Sequence, residues 1–322
     1  MFNNTTIIIR SANERTEQLC RKLILEQGIN EKNLFIVREV PFSASLHKSF
    51  ETGINNDLPW TLCIDADVLL RPGSIKYMLE IAQKQKDNTF GIQCLVMDKF
   101  FGGPRSAGNH LYRTSFLDRV IMKIPAEGVN VRPETYALNR MRDDGFQWRK
   151  IPRIIGIHDH EQYNYDIYRK CFVHGVKHLD LAPMLKDIWY SYSGYDNDFK
   201  VALKAFSDSL LNTNPVYINR DYELFKTLFA KTGFKEKDTI DVMNYSLSTV
   251  EDIIVNWEYH EAYLRMYPAR WGIYQRETMY KRINHSIKHH GIIKTIRKIF
   301  GKGLIYLGEA VNGKEKTNNS YF

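Results

Sequence analysis

The stretch from Pro59 to Leu70 constrains the fold of this chain more than any other part of the sequence. Its first half is a short apolar run that ends in two carboxylates, Asp65 and Asp67, with one small residue between them. A bounded apolar run of this length is typical of a buried strand, so the two acids lie where a strand ends and a loop begins. In open α/β sheets, ligands bind at that edge.

The spacing of Asp65 and Asp67 also suggests a chemistry. Side chains two positions apart on a strand point to the same side, and two carboxylates on one side repel unless a positive group lies between them. Hard oxygen ligands of this kind suit Mg²⁺ or Mn²⁺, ions that often bind a diphosphate at the same time. A D-x-D triplet is also common in solvated turns, so the metal interpretation depends on the rest of the chain.

The order of hydrophobic patterns predicts the fold class. Strand and helix patterns alternate over about the first hundred residues, which indicates βαβ units, a mostly parallel sheet flanked by helices, and an α/β fold. From Tyr163 onward the pattern is helical and aromatic, without a convincing strand. We therefore expect an α/β domain over 1–162, a helical, aromatic-rich region over 163–285, and a basic amphipathic helix with a polar tail over 286–322.

The net charge of +8 is concentrated near the C-terminus. The segment Arg265–Lys302 carries ten Lys or Arg and a single acid, Glu277, so its own charge is +9 and the remaining body is close to neutral. A near-neutral body argues against a nucleic-acid surface and favours a local anionic partner. Isoleucines at helical spacing accompany these charges, so residues 288–307 are expected either to contact an anionic membrane peripherally or to pack on the protein.

The location of the protein is also predicted from the sequence. The N-terminal residues lack the basic region of a signal sequence, and no stretch is long and apolar enough to span a bilayer. The four cysteines are widely spaced, which is typical of free thiols in a reducing compartment. We expect a bacterial-type cytoplasmic protein with peripheral contact at the inner face of the plasma membrane.

Several stretches together resemble glycosyltransferases with the GT-A fold, close to the bacterial family-2-like group. The resemblance covers about residues 5–160, roughly half of the chain. It is carried in order by Ile7–Glu14, Glu51–Ile54, Asp65–Asp67, Gly108–Arg113 and Glu134–Met141. In that family these positions are an apolar strand with a nucleotide-contacting loop, a helix end, the metal-binding D-x-D motif, a strand lining the acceptor pocket, and a helix that begins with two acids.

The resemblance implies a catalytic domain over 1–162 and a set of site residues. The metal ligands would be Asp65, Asp67 and His158, with His160 as a weaker candidate, and an imidazole among carboxylates suits Mn²⁺ better than Mg²⁺. The nucleotide or donor sugar would contact these residues: Arg10, Ser11, Ala12, Glu14, Arg15, Arg38, Glu39, Lys48, Asp65 and Ala66. Each of the charged ones is also a normal surface or helix-start residue.

The chain departs from the family pattern at the expected general base. The second acid of the family's acidic pair is Thr135 here, which leaves Glu134 as the available carboxylate or leaves the site without a base. Glu134 as base implies inversion at the anomeric carbon, which we slightly favour, and its absence implies retention. An acid in the first turn of a helix is also normal without any catalytic role.

The sequence thus predicts a metal-dependent glycosyltransferase. It would move a sugar from a nucleotide-diphosphate sugar to a hydroxyl of a glycan or lipid-linked acceptor, in bacterial surface polysaccharide synthesis. One alternative is a metal-dependent phosphoesterase that uses the Asp and His residues. Another is a non-catalytic adaptor on a GT-A-like fold, with the aromatic helices between Tyr163 and Tyr195 as its docking surface.

Overall fold

In the computed structural model, which describes residues 4–130, 132–217 and 219–311, the strands form one eight-stranded sheet. The strands are Thr5–Arg10 (β1), Leu34–Val37 (β2), Trp60–Asp65 (β3), Val68–Leu70 (β4), Thr89–Asp98 (β5), Gly103–Arg105 (β6), Asn109–Arg113 (β7) and Gln147–His158 (β8). Their order in the sheet is β2-β1-β3-β7-β5-β8-β4, with β6 paired to β5. Helices flank the sheet, so the predicted α/β class is confirmed.

The sheet is mixed where a mostly parallel one was expected. Strand β1 pairs in parallel with β2 and β3, and β5 pairs in parallel with β8. The remaining pairings, including β3 with β7 and β4 with β8, are antiparallel. The difference arises in part from short strands such as β6, which folds back on β5 as an antiparallel hairpin.

The register of these strands positions the site. Arg10 lies directly beside Asp65 because both end their parallel strands at the same level. His158, at the end of β8, lies between Val68 of β4 and Asp98 of β5. The chain passes from β3 to β4 through Ala66 and Asp67, so the D-x-D triplet lies between these two sets of strand ends.

Burial of the central strands explains the consecutive apolar residues in β1 and β3. Ile7, Ile8 and Ile9 of β1 have no solvent exposure, as expected for a strand that is covered on both faces. Leu46 and Phe50 of the second helix pack in the same core cluster as Ile8. All four cysteines are buried free thiols, as the sequence predicted.

Most of the helices lie in the second half of the chain, where the described residues contain no strand after His158. Tryptophans connect this half to the loop after β5: the Trp189 indole N–H donates to the Phe100 carbonyl at 2.7 Å and that of Trp257 to the Gly102 carbonyl at 3.1 Å. The helices are Glu17–Leu25 (α1), Phe42–Asn55 (α2), Ser74–Gln83 (α3), Leu117–Ile121 (α4), Pro133–Asp143 (α5), Asn164–Lys177 (α6), Ala182–Tyr192 (α7), Asn197–Leu211 (α8), Glu223–Ala230 (α9), Leu247–Val255 (α10), Glu261–Met266 (α11) and Pro268–Val311 (α12).

The chain separates into two compact units, residues 1–273 and 274–322. The second unit contains most of α12, whose backbone leaves the helical conformation at Gly291 (φ 76°). The predicted polar tail at 312–322 lies outside the described residues. No helix within the described ranges has both the length and the apolar character needed to cross a bilayer. The predicted three-part division of the chain stays a prediction.

Candidate active site

Arg10 is the centre of the first half of the site. Its Nε donates to Asp65 Oδ1 at 2.8 Å and its Nη1 donates to Glu134 Oε1 at 2.7 Å, while the side chain is almost completely buried. Burial opposes the guanidinium charge, but Asp65 and Glu134 outweigh it and raise the pKa of Arg10 well above its ordinary value. The arginine therefore neutralises the first acid of the D-x-D triplet and joins it to the start of α5.

Glu134, the predicted base, is held by several donors. The Tyr112 hydroxyl donates to its Oε1 at 2.8 Å, and His110 Nδ1 lies 3.4 Å from the same oxygen. Burial raises the pKa of Glu134, but Arg10 and His110 more than offset this, so the pKa lies below its usual range. Glu134 is therefore ionised at neutral pH, which a base requires, and it also fixes the position of Arg10. The catalytic assignment stays a prediction.

The second acid, Asp67, contacts a different cation. The Lys170 ammonium from α6 contacts Asp67 Oδ2 and also donates to Asp159 Oδ1 at 2.5 Å. His158 Nε2 lies 3.5 Å from Asp67 Oδ1. Asp67, His158 and Asp159 form the group whose carboxylate and imidazole atoms lie within 4.8 Å of one another, as metal ligands do. We call Asp67, His158, Asp159 and Lys170 the Asp67 cluster.

Two oxygens in the Asp67 cluster indicate room for a cation. Asp67 Oδ1 and Asp159 Oδ2 are buried and accept no hydrogen bond from the residues that the structure describes. His158 Nδ1 lies 3.0 Å from Asp159 Oδ2, but it is hydrogen bonded to Asp98 Oδ2 at 2.7 Å. Buried carboxylate oxygens without a donor are costly, and a divalent cation would satisfy both. The donor set therefore fits a metal ion.

The protonation of His158 follows from its neighbours. Burial lowers the pKa of its imidazole, but Asp159, Asp67 and Asp98 outweigh this and raise it well above the ordinary value. Without a metal the ring is therefore charged, and a metal on Nε2 would replace that proton. Asp98 would then orient the ring through Nδ1, as carboxylates commonly do for metal-bound histidines.

The structure places two predicted metal candidates apart from this group. Asp65 is engaged by Arg10, because the parallel register of β1 and β3 makes them neighbours. His160 is buried, and burial lowers its pKa to about 4. Asp159, which the sequence analysis did not name as a ligand, lies in the group instead. The prediction that Asp65 and Asp67 share one ion stays a prediction.

A cavity of about 210 Å³ opens between the ends of β1 and β3 and the start of the helical half. Seven predicted residues line it: Arg10, Ser11, Ala12, Glu14, Glu39, Asp65 and Asp67. Sequence reasoning missed the other seven lining residues, which are Val40, Phe42, Ser45, Arg169, Lys170, Asn219 and Arg220. The structure thus brings the loop after β1 and the D-x-D acids to one cavity that also holds four basic side chains, a composition suited to a diphosphate.

Glu14 is one of four acids that line this cavity. Its Oε2 accepts from the Ser11 hydroxyl at 3.0 Å and from the Ala12 N–H at 2.6 Å. Burial, followed by the charge of Asp67, raises the pKa of Glu14 to about 7. Glu14 is therefore protonated in a large fraction of molecules near neutral pH, which reduces the repulsion that an anionic ligand would meet in the cavity.

Four other predicted donor contacts do not line the cavity. Arg15 donates to the Asp238 carbonyl at 2.6 Å and pairs with Glu161 at 2.6 Å. Arg38 pairs with Glu17 through two hydrogen bonds. Lys48 is exposed on α2, and Ala66 is fully buried.

The missed basic residues come from a part of the chain far from the motifs. Arg220 Nη1 donates to the Ala12 carbonyl at 2.7 Å, and its other nitrogens pair with Asp166. This links the loop before α9 to the loop after β1, more than two hundred residues away. No pattern in the sequence signals that contact, since Arg220 follows a polar, Pro-containing break.

No family model and no curated protein matches the chain. Several solved structures are similar to it, and two of them are glycosyltransferases. One is a glycosyltransferase involved in the glycosylation of the major capsid of PBCV-1, with a TM-score of 0.34 and 14% identity, covering 48% of this chain and 82% of that one. The other is a mannosyltransferase from Pyrobaculum calidifontis in complex with GDP-Man and Mn²⁺, with a TM-score of 0.37 and 11% identity, covering 71% of this chain and 79% of that one. Because both TM-scores lie below 0.5, we base the functional proposal on the site itself.

Proposed function

We propose that the protein is a glycosyltransferase that moves a sugar from a nucleotide-diphosphate sugar to a hydroxyl of a glycan or lipid-linked acceptor. The proposal rests on one observation: the basic cavity and the Asp67 cluster share residues. Asp67 and Lys170 belong to both, so a diphosphate in the cavity would lie against the group that fits a cation. Arg10, Arg169, Lys170 and Arg220 supply the positive charge that a departing diphosphate needs.

The metal would be Mn²⁺ or Mg²⁺, held by Asp67, His158 and Asp159. When bound, the ion neutralises charge on the leaving nucleoside diphosphate. The imidazole of His158 favours Mn²⁺. Lys170 contacts the other oxygens of two ligand residues, Asp67 Oδ2 and Asp159 Oδ1, so its ammonium lies beside the proposed ion and also lines the cavity where the diphosphate would bind.

The transfer itself forms a bond between the acceptor oxygen and the anomeric carbon and breaks the bond from that carbon to the diphosphate. The acceptor proton goes to Glu134 if that carboxylate is the base, and the configuration then inverts. In that case Arg10 positions Glu134 and holds Asp65 at the rim of the cavity. If Glu134 serves only to fix Arg10, the leaving phosphate takes the proton and the configuration is retained.

The acceptor and the location are proposed from the second unit. Among the side chains that the structure describes beyond Gly291, six apolar ones at helical spacing are exposed, and Lys294 and Arg297 are exposed among them. Those apolar residues are Ile292, Ile293, Ile296, Ile299, Phe300 and Leu304. We propose that residues 288–307 lie on an anionic membrane surface at the inner face of the plasma membrane, where a lipid-linked glycan for surface polysaccharide would be extended.

Liposome flotation tests the membrane contact with the full-length chain. Ile293→Glu with Ile296→Glu is expected to abolish flotation with vesicles that contain anionic lipid. Asp118→Glu, a charge-conserving control on exposed α4, is expected to leave it unchanged. Equal flotation of the double variant and the wild type would refute the membrane contact without affecting the proposed activity.

Thermal stabilisation by ligands tests the main proposal. A panel of nucleoside diphosphates is measured with and without Mn²⁺, and each nucleoside monophosphate serves as the control. We expect one diphosphate to raise the melting temperature only when the cation is present, and Asp67→Ala to remove that effect. An equal response to monophosphates without cation would favour the phosphoesterase or the adaptor. The phosphoesterase also predicts a second metal, whereas the described residues contain one candidate ligand group.

A further inference from the structure

A second cavity lies beside the cavity of about 210 Å³ that would hold the donor diphosphate, which we call the donor cavity. The second cavity measures about 620 Å³ and is formed by the start of α6, by α9 and by the segment after α9. Three aromatic side chains line it: Tyr163, Tyr165 and Phe229. Arg220 lines both cavities, so the two spaces meet at this residue. We call the second space the Tyr163 cavity.

The donor cavity is smaller than a whole nucleotide-diphosphate sugar requires. Pockets that enclose a drug-sized ligand measure about 300–1,000 Å³. A nucleotide sugar, with a nucleoside, a diphosphate and a sugar in a row, is at least of that size. At about 210 Å³, the donor cavity holds only part of such a ligand. The Tyr163 cavity, at about 620 Å³, has room for the part that remains.

The contacts in the donor cavity indicate which part of the donor would extend past Arg220. The Arg10 guanidinium is held by Glu134, the proposed base, so the sugar that reacts belongs beside Arg10. The Arg220 guanidinium is held by a different acid, Asp166, through two hydrogen bonds. An extended donor with its sugar beside Arg10 and its diphosphate beside Asp67 directs its nucleoside toward Arg220.

The aromatic side chains of the Tyr163 cavity are suited to stack on a nucleobase. Phe229 is half-buried and packs edge to face on Tyr165, with ring centres 5.5 Å apart, so the orientation of its ring is fixed. Tyr163 is also half-buried. With the residues that the structure describes, its hydroxyl makes no hydrogen bond and its ring makes no aromatic or cation–π contact. A tyrosine that lines a cavity without such partners is available to a planar ligand.

Tyr165, in contrast, has a structural role at the junction of the two cavities. Its hydroxyl donates to the Arg220 carbonyl, and burial raises its pKa to about 12. Replacing Tyr165 would disturb this junction whatever the ligand. Tyr163 and Phe229 are therefore the side chains at which a loss of ligand binding can be separated from a loss of structure.

We infer that the nucleoside of the donor binds in the Tyr163 cavity, with its base against Tyr163 and Phe229. The inference rests on the proposed glycosyl transfer and adds the orientation of the donor, whose diphosphate lies at the Asp67 cluster and whose sugar lies beside Arg10. A glycan acceptor would also stack on aromatic rings. It would, however, leave the affinity for a nucleoside diphosphate independent of those rings.

Calorimetric titration on the full-length chain with Mn²⁺ tests the inference. The probes are inorganic pyrophosphate, which has no nucleoside, and a panel of nucleoside diphosphates. The wild type is expected to bind one nucleoside diphosphate at least about tenfold more tightly than pyrophosphate, since stacking of a base on an aromatic side chain contributes an effect of that size. We call this ratio of affinities the nucleoside preference.

Variants assign the nucleoside preference to the cavity. Tyr163→Ala and, separately, Phe229→Leu are each expected to lower it by at least about threefold, with pyrophosphate affinity unchanged. Tyr163→Phe retains the ring and is expected to keep the preference. The control is Tyr195→Ala, which removes an exposed tyrosine outside both cavities and should also keep it. Unchanged pyrophosphate affinity shows that each variant is folded at the phosphate site.

Two results would overturn the inference. One is a nucleoside preference of wild-type size in both Tyr163→Ala and Phe229→Leu. The other is a wild type that binds pyrophosphate with Mn²⁺ but shows no nucleoside preference. If the wild type binds neither pyrophosphate nor any nucleoside diphosphate with Mn²⁺, the proposed function itself fails and the inference fails with it.

Discussion

The two acids of the D-x-D triplet, Asp65 and Asp67, lie two residues apart but face different charged groups. Asp65 faces a buried arginine that also holds Glu134, whereas Asp67 faces a lysine, a histidine and a second aspartate. The planar fork of an arginine binds two carboxylates at fixed geometry, while an ammonium is a point charge that can move. The comparison indicates that the Arg10 side is a permanent support and that the Asp67 side is the part that exchanges ligands.

The largest effect, on the free energy of unfolding, is expected from replacing Arg10. Arg10→Met leaves Asp65 and Glu134 without their shared cation, and breaking a buried pair of this kind costs about 3–5 kcal/mol of the free energy of unfolding. Urea unfolding measures it, with Arg21→Met as the control because Arg21 forms only a surface pair with Glu31. Glu134→Gln in the Arg10→Met background should recover part of the loss. If Arg10→Met costs no more unfolding free energy than Arg21→Met, Arg10 is not the permanent support that distinguishes its side from the Asp67 side.

Two glutamates, the buried Glu134 and the partly buried Glu14, allow the comparison to be tested through pH. Glu134 has a lowered pKa beside Arg10, whereas Glu14, near Asp67, has its pKa raised from 4.5 to about 7. An acid with a raised pKa is more protonated in the folded state, so it makes stability fall as pH rises from about 4.5 to 7. Relative to Glu14→Gln, the wild type should lose up to about 3 kcal/mol across that window.

The measurement for Glu14 is a series of urea unfolding curves at several pH values. The difference between wild type and Glu14→Gln cancels the other groups that titrate in the same range. Below about pH 4.5 and above about pH 7 the difference should be constant. Parallel curves over the whole range would mean that neither the burial of Glu14 nor the charge of Asp67 raises its pKa, and the contrast with Glu134 would then be lost.

A smaller effect is expected from replacing Lys170, whose ammonium is the mobile positive charge beside Asp67. Lys170→Met removes the ammonium that competes for Asp67 and Asp159, so Mn²⁺ alone should bind at least about tenfold more tightly. Electron paramagnetic resonance of free Mn²⁺ measures this without any activity. Lys123→Met, which removes a lysine paired with Asp144 on the surface, should leave Mn²⁺ affinity unchanged. Unaltered Mn²⁺ affinity in Lys170→Met would mean that Lys170 is a fixed partner of Asp67, as Arg10 is of Asp65.

The smallest effect is expected at Lys48, which belongs neither to the Arg10 side nor to the Asp67 side. Lys48→Met is expected to change the affinity for nucleoside diphosphate by less than about twofold, because Lys48 is exposed on α2 and does not line the cavity. The same thermal-shift panel detects any larger change. A loss of nucleoside diphosphate affinity well above twofold would support the sequence-based prediction that Lys48 contacts the donor.

The sequence predicts well what depends on local pattern. The buried strand before Asp65, the alternation of elements and the loop after β1 are properties of short segments, and the structure has all of them. The resemblance to GT-A glycosyltransferases named Ser11 and Glu14 in that loop, and both line the cavity. The mixed sheet was missed because a strand of three residues, such as Gly103–Arg105, gives no readable alternation.

What depends on register and long-range packing could not be predicted. The partnership of Arg10 with Asp65 follows from the parallel register of β1 and β3, which neither strand reveals alone. Lys170 and Arg220 reach the site from helices and loops whose sequence pattern describes only their own buried faces. Asp159 was overlooked because its neighbours His158 and His160 are more conspicuous as metal ligands.

The central claim is that Asp67, His158 and Asp159 bind the cation and that Asp65 does not. Titration of Mn²⁺ in the presence of a stabilising nucleoside diphosphate, followed by electron paramagnetic resonance, tests it with Asp159→Asn and Asp65→Asn. We predict that Asp159→Asn weakens Mn²⁺ binding by about tenfold or more, while Asp65→Asn changes it by less than about threefold. The opposite order, with Asp65→Asn the damaging change and Asp159→Asn neutral, would contradict the account.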